Sequence, residues 1–275
     1  MNLTAGRITA IDRLYLQRAY ELAARGLGST APNPPVGAVI VSGGRIAGEG
    51  YHHRAGEAHA EVNALAQAGE AARGATAYVS LEPCNHAGQT PPCTQALLEA
   101  GIARVVAGTL DPNPRTDGRG AAFLRERGVW VDVAEDARAR ELIEPFGRQV
   151  RGQRPYVGLK MAMSLDGAIA SEPGVAHWLT SDGVRSFVRE LRAAYDAVMV
   201  GAGTVRVDDP QLTVRPAHHR ERPYVRVVLC ETGAVDPNRR VFAAVPGYAD
   251  TIVLAPAGAR TRFAVLERTP GARVV

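Results

Sequence analysis

Residues 59–93 read HAEVNALAQAGEAARGATAYVSLEPCNHAGQTPPC, and from this stretch the imidazole of His59, the carboxylate of Glu61 and the thiols of Cys84 and Cys93 could serve one site. His59 and the thiolates of Cys84 and Cys93 are three ligands of the kind that zinc prefers. A zinc ion with three protein ligands keeps a fourth position for water and lowers the pKa of that water to about 7. Glu61 is then placed to move protons and not to bind metal. The stretch therefore predicts a catalytic zinc site.

Helix and strand patterns put these side chains at the ends of regular elements. We predict a helix over 60–72, a strand over 75–81 and a second helix over 94–100. Val62, Leu65 and Ala66 form the predicted apolar stripe of the first helix. His59 and Glu61 are two positions apart, so they can converge only in the first turn of that helix. Two helix N-termini directed at one point favour thiolate over thiol at the cysteines.

Two other interpretations of the cysteines stay open at this stage. Cys84 and Cys93 could form a disulfide or be two inert core thiols, although three cysteines in a chain without an export signal argue against a disulfide. Alternatively, His86 lies between the cysteines and would complete a closed, structural Cys2His2 zinc site with His59. That second interpretation leaves Glu61 without a role.

The order H-x-E, P-C, C is the signature of the zinc nucleobase deaminases, although eight residues separate the two cysteines here. From about Ala19 to its end the chain resembles a more specific family, the bifunctional deaminase-reductases of riboflavin biosynthesis. The resemblance is carried by VGAVIV at 36–41, HAEV at 59–62, EPCNH at 82–86 and TPPC at 90–93. It implies an α/β protein whose first domain, residues 1–150, is a cytidine-deaminase-like α/β/α sandwich.

The resemblance also implies the substrate and the residues of the deaminase site. The substrate would be a phosphoribosylated aminopyrimidine, 2,5-diamino-6-ribosylamino-4(3H)-pyrimidinone 5′-phosphate. Glu61 would be catalytic, and His59, Cys84 and Cys93 would bind zinc. The substrate-binding residues would be Asn33, His52, Asn85, His86 and Gln89. Gln89 stands where the family has a cation, and Ala87 replaces a larger residue, so the affinity for phosphate is in doubt.

The remainder of the chain has the length and pattern of a second domain. Strand and helix patterns alternate at 105–110, 121–127 and 129–133, which implies a sheet covered by helices. A charged helix over 135–150 leads into RGQRP, so that 151–154 would be a linker and 155–275 the second domain. In that domain we predict strands over 156–163, 197–200, 225–229 and 251–254 and a helix over 182–194.

Lys160 is the only lysine among 32 basic residues, which suggests a position where arginine does not suffice. The family resemblance gives it a role, because the second half is similar to a dihydrofolate-reductase-like domain that uses NADPH. By that resemblance Lys160, Arg192, Leu212 and Arg215 face substrate. The residues facing the cofactor would be Ala162, Trp178, Thr204 and Asp208.

The second half also departs from the family. Ala176 replaces a small polar residue, and Cys230-Glu231 replaces an acid followed by a small residue. The chain ends at Val275, before the strand and glycine-rich loop of the family, so we expect an incomplete domain with doubtful reductase activity. The predicted strands 225–229 and 251–254 would then lack sheet neighbours, and an exposed edge favours pairing with another chain. We therefore expect a homo-oligomer formed through this domain.

Composition narrows the remaining choices. No apolar run approaches the roughly 18 residues of a membrane helix, and the N-terminus has no secretory pattern, so we expect a cytoplasmic protein without a membrane partner. The net charge of +4 is modest and dispersed, so we expect no nucleic-acid partner. A tRNA or nucleoside deaminase and a non-catalytic structural zinc protein remain as alternatives.

Overall fold

In the computed structural model the chain divides into two compact units, one up to Gly158 and one from Leu159 onward. The structure describes residues 8–86, 91–170, 172, 179–215 and 222–275. The predicted residues Gln89, Ala87, Ala176 and Trp178 lie outside these ranges.

The first unit is built on a five-stranded sheet in the order β2-β1-β3-β4-β5, in which β1 runs antiparallel to β2 and β3 while β3, β4 and β5 are parallel. Its elements are α1 (Ala10–Ala24), β1 (Gly37–Ser42), β2 (Arg45–Tyr51), α2 (Ala60–Ala68), β3 (Thr76–Val79), α3 (Cys93–Glu99), β4 (Arg104–Ala107), α4 (Arg119–Glu126), β5 (Trp130–Val133) and α5 (Ala137–Val150). One apolar core packs α2, α3 and α4 on one face, and a second packs α1 and α5 on the other. The predicted α/β/α sandwich is confirmed.

Helix α2 lies unusually close to strand β2 because the strand carries glycine at the contact points. A Cβ atom at Gly48 would lie 2.2 Å from the backbone oxygen of Ala64, and one at Gly50 would lie 2.5 Å from that of Ala60. No real Cβ tolerates such distances. The glycines therefore fix the depth at which the first turn of α2, with its functional residues, meets the sheet.

Of the predicted apolar stripe of this helix, Leu65 packs against the core, and the other two positions are wrong. Val62 and Ala66 are exposed, whereas the buried side chains are Ala60, Glu61, Ala64 and Ala68. Close backbone contact selects the smallest side chains for the packing face. Glu61 shares this face, so its carboxylate is buried. The α-helix also stops at Gly69, and a short 3-10 turn, Gly69–Ala72, completes the predicted helical segment.

A buried ion-pair network ties α1 to the parallel edge of the sheet. The Asp12 carboxylate, 2% exposed, lies 2.8 Å from Arg104 Nη1 and accepts a hydrogen bond of 2.9 Å from the Tyr78 hydroxyl. Arg104 Nη2 lies 2.7 Å from the equally buried Asp132. Burial alone would raise the pKa of Asp12, but the bonds from Arg104, Thr9 and Tyr78 outweigh it and lower the pKa to about 2.

We expect this network to make the first unit sensitive to acid. A carboxyl group whose pKa falls on folding from 3.8 to about 2 stabilises the fold above pH 4, and that contribution is lost as the pH drops toward 2. Its size is about 2 kcal/mol. In urea unfolding at pH 6, wild type should have a larger free energy of unfolding than Asp12→Asn. This difference should become smaller below pH 4. If the difference in free energy of unfolding between the two proteins did not depend on pH, the lowered pKa of Asp12 would be contradicted.

The second unit contains a four-stranded, wholly parallel sheet in the order β6-β7-β8-β9. Its elements are α6 (Asp182–Ala193), β6 (Ala197–Gly201), α7 (Ala202–Asp208), β7 (Val225–Leu229), β8 (Thr251–Leu254), α8 (Ala264–Glu267) and β9 (Ala272–Val274). Val228 and Val253 on the sheet pack against Val205, Phe263 and Leu266 in the core of this unit. The predicted α/β class is confirmed for this half as well.

Two predictions for the second unit are wrong. Residues 156–163 do not form a strand in the structure, and the alternating apolar side chains of this segment are exposed. A strand needs a hydrogen-bonded neighbour, and the described residues give this segment none. Strands β7 and β8 were expected to lack neighbours but are paired on both sides. Strand β7 lies between β6 and β8, and β8 lies between β7 and β9.

Candidate active site

Three elements of the first unit bring the predicted zinc ligands together. His59 is the N-cap residue of α2, Cys84 lies in the loop that follows β3, and Cys93 is the first residue of α3. The backbone N–H of Cys93 donates to Cys84 Sγ over 3.3 Å, and the next N–H, of Thr94, donates to the Cys84 carbonyl. The two cysteines therefore lie close together in space although eight residues separate them in the sequence.

The ligand atoms have the spacing that a single ion can bridge. His59 Nδ1 lies 3.0 Å from Cys93 Sγ and 3.6 Å from Cys84 Sγ, and all three ligand atoms lie within 4.8 Å of one another. One nitrogen and two sulfurs are a donor set suited to zinc. Across the described ranges this is the only group of three or more potential ligands, and His86 is not part of it. The three cysteines are free thiols, which does not favour the disulfide alternative.

Contacts within the protein lower the pKa of the Cys84 thiol and so favour its thiolate form. The hydrogen bond from Cys93 is the largest of the causes that lower the pKa of Cys84, and His59 adds to it; the same contact, with burial, raises the pKa of Cys93. The Cys84 thiolate in turn raises the pKa of His59. A cation that binds here displaces the shared proton, since zinc is bound by thiolates and neutral imidazole.

Glu61 is the buried carboxylate of the site. Its side chain is 3% exposed and has a hydrogen-bonding contact with the thiol of Cys93. Burial, followed by the negative charge of Cys84, raises its pKa to about 7. A carboxyl group with a pKa near neutrality can both accept and donate a proton at physiological pH, which is the property of a general acid–base.

Two of the predicted substrate-binding residues form a pair beside the ligands. Asn33 Nδ2 lies 3.1 Å from His52 Nε2, and His52 Nδ1 lies 3.2 Å from the carbonyl oxygen of Ala58. The His52 ring also makes an edge contact with His59. A carbonyl only accepts, so His52 Nδ1 donates to it and the Asn33 amide donates to Nε2. Both His52 nitrogens are thus engaged within the protein, and none of the hydrogen bonds among the described residues involves the Asn33 carbonyl oxygen.

The other two described residues of this set follow Cys84. Asn85 is held by Thr94, whose hydroxyl donates to Asn85 Oδ1 over 2.9 Å. His86 is exposed, and its Nδ1 lies 3.5 Å from the hydroxyl of Thr116. Thr116 was not predicted from the sequence, because a threonine in a loop 30 residues away carries no local signal.

In the second unit the structure brings together some of the predicted residues. Arg192 Nη1 donates to the Thr213 carbonyl over 2.9 Å, and Arg215 Nε donates to the Thr213 hydroxyl over 3.0 Å. The preceding residue, Leu212, is buried and has a φ of +54°. Such a strained backbone conformation is often found at binding sites. The segment 211–215 thus gathers three of the four predicted substrate residues.

The predicted cofactor residues and Lys160 are more dispersed. Thr204 and Asp208 lie four residues apart on the exposed side of α7. Lys160 and Ala162 lie in the extended segment where the predicted strand is absent.

Two family models match the chain, one in each unit. Residues 9–109 match the cytidine and deoxycytidylate deaminase zinc-binding region, and residues 155–270 match the RibD C-terminal domain.

Individual relatives match across both halves. The chain is 50% identical over 223 residues to the riboflavin biosynthesis protein RibD of Aquifex aeolicus, which covers 81% of this chain and 62% of that protein. It is 46% identical over 245 residues to RibD of Escherichia coli, covering 84% of this chain and 66% of that protein. The chain therefore spans about two thirds of the length of these relatives.

A solved structure is also similar to this chain. The diaminohydroxyphosphoribosylaminopyrimidine deaminase/5-amino-6-(5-phosphoribosylamino)uracil reductase of Thermotoga maritima is 39% identical and superposes with a TM-score of 0.78. The match covers 96% of this chain and 80% of that one.

Proposed function

Because the chain belongs to the RibD family of riboflavin biosynthesis proteins, we propose that its first domain, residues 1–150, is a zinc-dependent deaminase. The substrate is 2,5-diamino-6-ribosylamino-4(3H)-pyrimidinone 5′-phosphate, which loses a ring amino group as ammonia. The observation that carries this proposal is the buried Glu61 carboxylate in contact with a His-Cys-Cys ligand set. A structural zinc site would have no use for that carboxylate.

In the proposed mechanism His59, Cys84 and Cys93 would hold zinc, which would supply the Lewis acidity that makes water nucleophilic near neutral pH. Glu61 accepts the proton of the attacking water and delivers it to the ring nitrogen next to the carbon under attack. It then takes the second proton, from the hydroxyl group now on that carbon, and gives it to the amine, so that the C–N bond breaks, ammonia leaves and a carbonyl forms. The raised pKa of Glu61 suits both halves of this cycle, since the carboxyl group can be charged or neutral near pH 7.

The neighbouring side chains bind the substrate. The carbonyl oxygen of Asn33 accepts a hydrogen bond from an N–H group of the pyrimidine, and His52 orients that amide. Asn85 and His86 lie next to Cys84 and contact the ring and the phosphoribosyl group. Gln89 contacts the phosphate as a neutral donor, so phosphate affinity is weaker than with a cation at this position.

Competing substrates test the proposal. Purified, zinc-loaded protein should release ammonia from the phosphoribosyl pyrimidine and none from adenosine in an RNA loop or from free nucleosides. The opposite preference would favour a tRNA or nucleoside deaminase. No ammonia from any of these substrates, with stoichiometric zinc, would favour a structural zinc protein.

For the second domain, residues 155–275 joined by the linker 151–154, we propose the NADPH-dependent reduction of the ribosyl group to ribityl in the deaminated product. Lys160, Arg192, Leu212 and Arg215 bind that product. The cofactor is bound by Ala162, Trp178, Thr204 and Asp208. The gathering of Arg192, Leu212 and Arg215 around Thr213 supports a binding role. Titration with NADPH, followed by its absorbance in the presence of deaminated substrate, tests this activity.

No described helix is both long enough and apolar enough to span a bilayer. We propose that the protein functions in the cytoplasm as a homo-oligomer held together through its second domain. The side chains of Phe187 on α6 and of Leu159 are among the large apolar groups exposed on this unit, which supports an association surface there. Light scattering of the purified protein gives the oligomeric state.

A further inference from the structure

The peptide group between Thr213 and Val214 is held from two sides by side chains from other parts of the second unit. The Thr213 carbonyl oxygen accepts a hydrogen bond of 2.9 Å from Arg192 Nη1, in the last turn of α6. The N–H of Val214, which belongs to the same peptide group, donates to the hydroxyl oxygen of Tyr248 over 2.6 Å. The carbonyl and the N–H of a trans peptide point in opposite directions, so Arg192 and Tyr248 approach it from opposite sides.

This peptide group lies one residue beyond a strained position. Leu212 has a φ of +54° and is 7% exposed. A residue with a Cβ atom keeps such a conformation only where the surrounding structure holds the backbone in place. The two hydrogen bonds to the nearby peptide group restrict the backbone beside Leu212, so they supply part of that restraint.

Tyr248 is itself held by Tyr224, which is 1% exposed. The two rings meet edge to face, with centroids 5.3 Å apart and an interplanar angle of 67°. Their backbones are also bonded, because the Tyr224 N–H donates to the Gly247 carbonyl over 3.0 Å and the Ala249 N–H donates to the Tyr224 carbonyl over 3.1 Å. The Tyr248 hydroxyl is therefore carried by backbone that is fixed to the residue just before β7.

Two further contacts restrict this pair of tyrosines. The Tyr224 hydroxyl donates to the backbone carbonyl of Arg192 over 3.4 Å, so the pair reaches both residues that hold the peptide group. The guanidinium of Arg226, a residue only 1% exposed, lies 5.5 Å from the centre of the Tyr248 ring, a distance at which a cation is attracted to an aromatic face. These contacts leave the Tyr248 ring little freedom to turn its hydroxyl away from Val214.

We propose that Tyr248 is a positioning residue of the second domain, which with Arg192 clamps the Thr213–Val214 peptide group. The clamp sets the backbone that carries Leu212 and Arg215, two of the residues proposed to bind the deaminated product. No local pattern marks this tyrosine, since 34 positions separate it from the amide that it accepts from. The effect on reduction rests on the proposed reductase function, whereas the effect on the amide does not.

The first measurement therefore reads the hydrogen bond directly. In the full-length protein, hydrogen exchange followed by NMR should find the Val214 amide protected. Tyr248→Phe removes only the hydroxyl that accepts from this amide, so its exchange should become at least about fivefold faster, as expected for the loss of one hydrogen bond. The amide of Val228 on β7 should exchange at the wild-type rate. Tyr156→Phe, the same substitution at a tyrosine that is 39% exposed, is the matched control and should change neither amide.

The second measurement is kinetic and separates a positioning role from general destabilisation. Tyr248→Phe should raise the KM for the deaminated phosphoribosyl compound about tenfold, with kcat and the KM for NADPH each changed by less than about threefold. Partial unfolding would instead lower the concentration of active enzyme and leave both KM values unchanged. Tyr156→Phe should match wild type in all three constants.

The outcomes separate the two proposals. A wild-type protein that oxidises no NADPH in the presence of the deaminated compound overturns the reductase function, and hydrogen exchange then decides the role of Tyr248 alone. A Val214 amide that is unprotected in wild type, or that exchanges equally fast in folded Tyr248→Phe, overturns the positioning role. An equal rise in the KM for NADPH overturns it as well. If Tyr248→Phe fails to fold, Arg192→Met removes the hydrogen bond on the other side of the same peptide group, and unchanged exchange at Val214 would then refute the clamp.

Discussion

Replacing Glu61 with alanine is expected to lower the rate of ammonia release by about 10²- to 10⁴-fold, the range attributed to general acid–base catalysis. The carboxylate is 3% exposed and contacts Cys93, so its removal takes away the group proposed to carry protons at this site. The ligand set His59, Cys84 and Cys93 is untouched, so zinc content should stay stoichiometric. Steady-state ammonia release and elemental analysis of the same sample measure both quantities.

Glu70→Ala is the matched control for this experiment. Glu70 is an exposed carboxylate in the 3-10 turn that follows α2, so the same substitution there should leave ammonia release unchanged. If Glu61→Ala released ammonia at the wild-type rate while retaining zinc, Glu61 would have no catalytic role. Loss of both activity and zinc would instead place Glu61 in the structure of the site.

Replacing Cys93 with serine is expected to abolish stoichiometric zinc binding, with a loss of affinity greater than about 100-fold, since even outer partners of metal ligands contribute 10- to 100-fold. Cys93 Sγ is fully buried and lies 3.0 Å from His59 Nδ1. A serine hydroxyl is not ionised near neutral pH and is a poor zinc ligand. Serine suits the first turn of a helix, so α3 should persist, and ammonia release should disappear with the metal.

His86→Ala separates the catalytic site from a closed structural one. Because His86 lies outside the ligand cluster and contacts Thr116, its loss should leave zinc content unchanged and weaken substrate binding. X-ray absorption of wild-type protein should then fit one nitrogen and two sulfur ligands from the protein, with a fourth, lighter ligand from solvent. A site with four protein ligands, and zinc lost from His86→Ala, would refute the catalytic assignment.

Local patterns in the sequence were enough to predict the three candidate zinc ligands that the structure brings together. The predicted helices begin at Ala60 and Thr94; in the structure α2 begins at Ala60, with His59 as its N-cap, and α3 begins one residue earlier than predicted, at Cys93. Proline before Cys93 and the periodic apolar residues after it are signals that act within one or two helical turns. Such signals can be recognised in the sequence because the backbone conformation that they specify depends on residues nearby in the chain.

Packing between distant segments was predicted less well. The stripe of Val62 and Ala66 was wrong because the contact face of α2 is set by Gly48 and Gly50 on another element. The pairing of β8 on its second side was missed because its outer neighbour, β9, is only three residues long and contains an arginine. Short edge strands have too few residues for an alternating pattern to stand out.

The sequence by itself determined the chemistry of this protein: the donor set His59, Cys84 and Cys93, the nearby Glu61, and the α/β alternation that carries them. Only the tertiary structure decided how these groups are supported. It buried Glu61 on an alanine-lined face and engaged both nitrogens of His52. Donor atoms are covalent properties of residues, whereas burial and hydrogen-bond partners arise only when remote segments pack together.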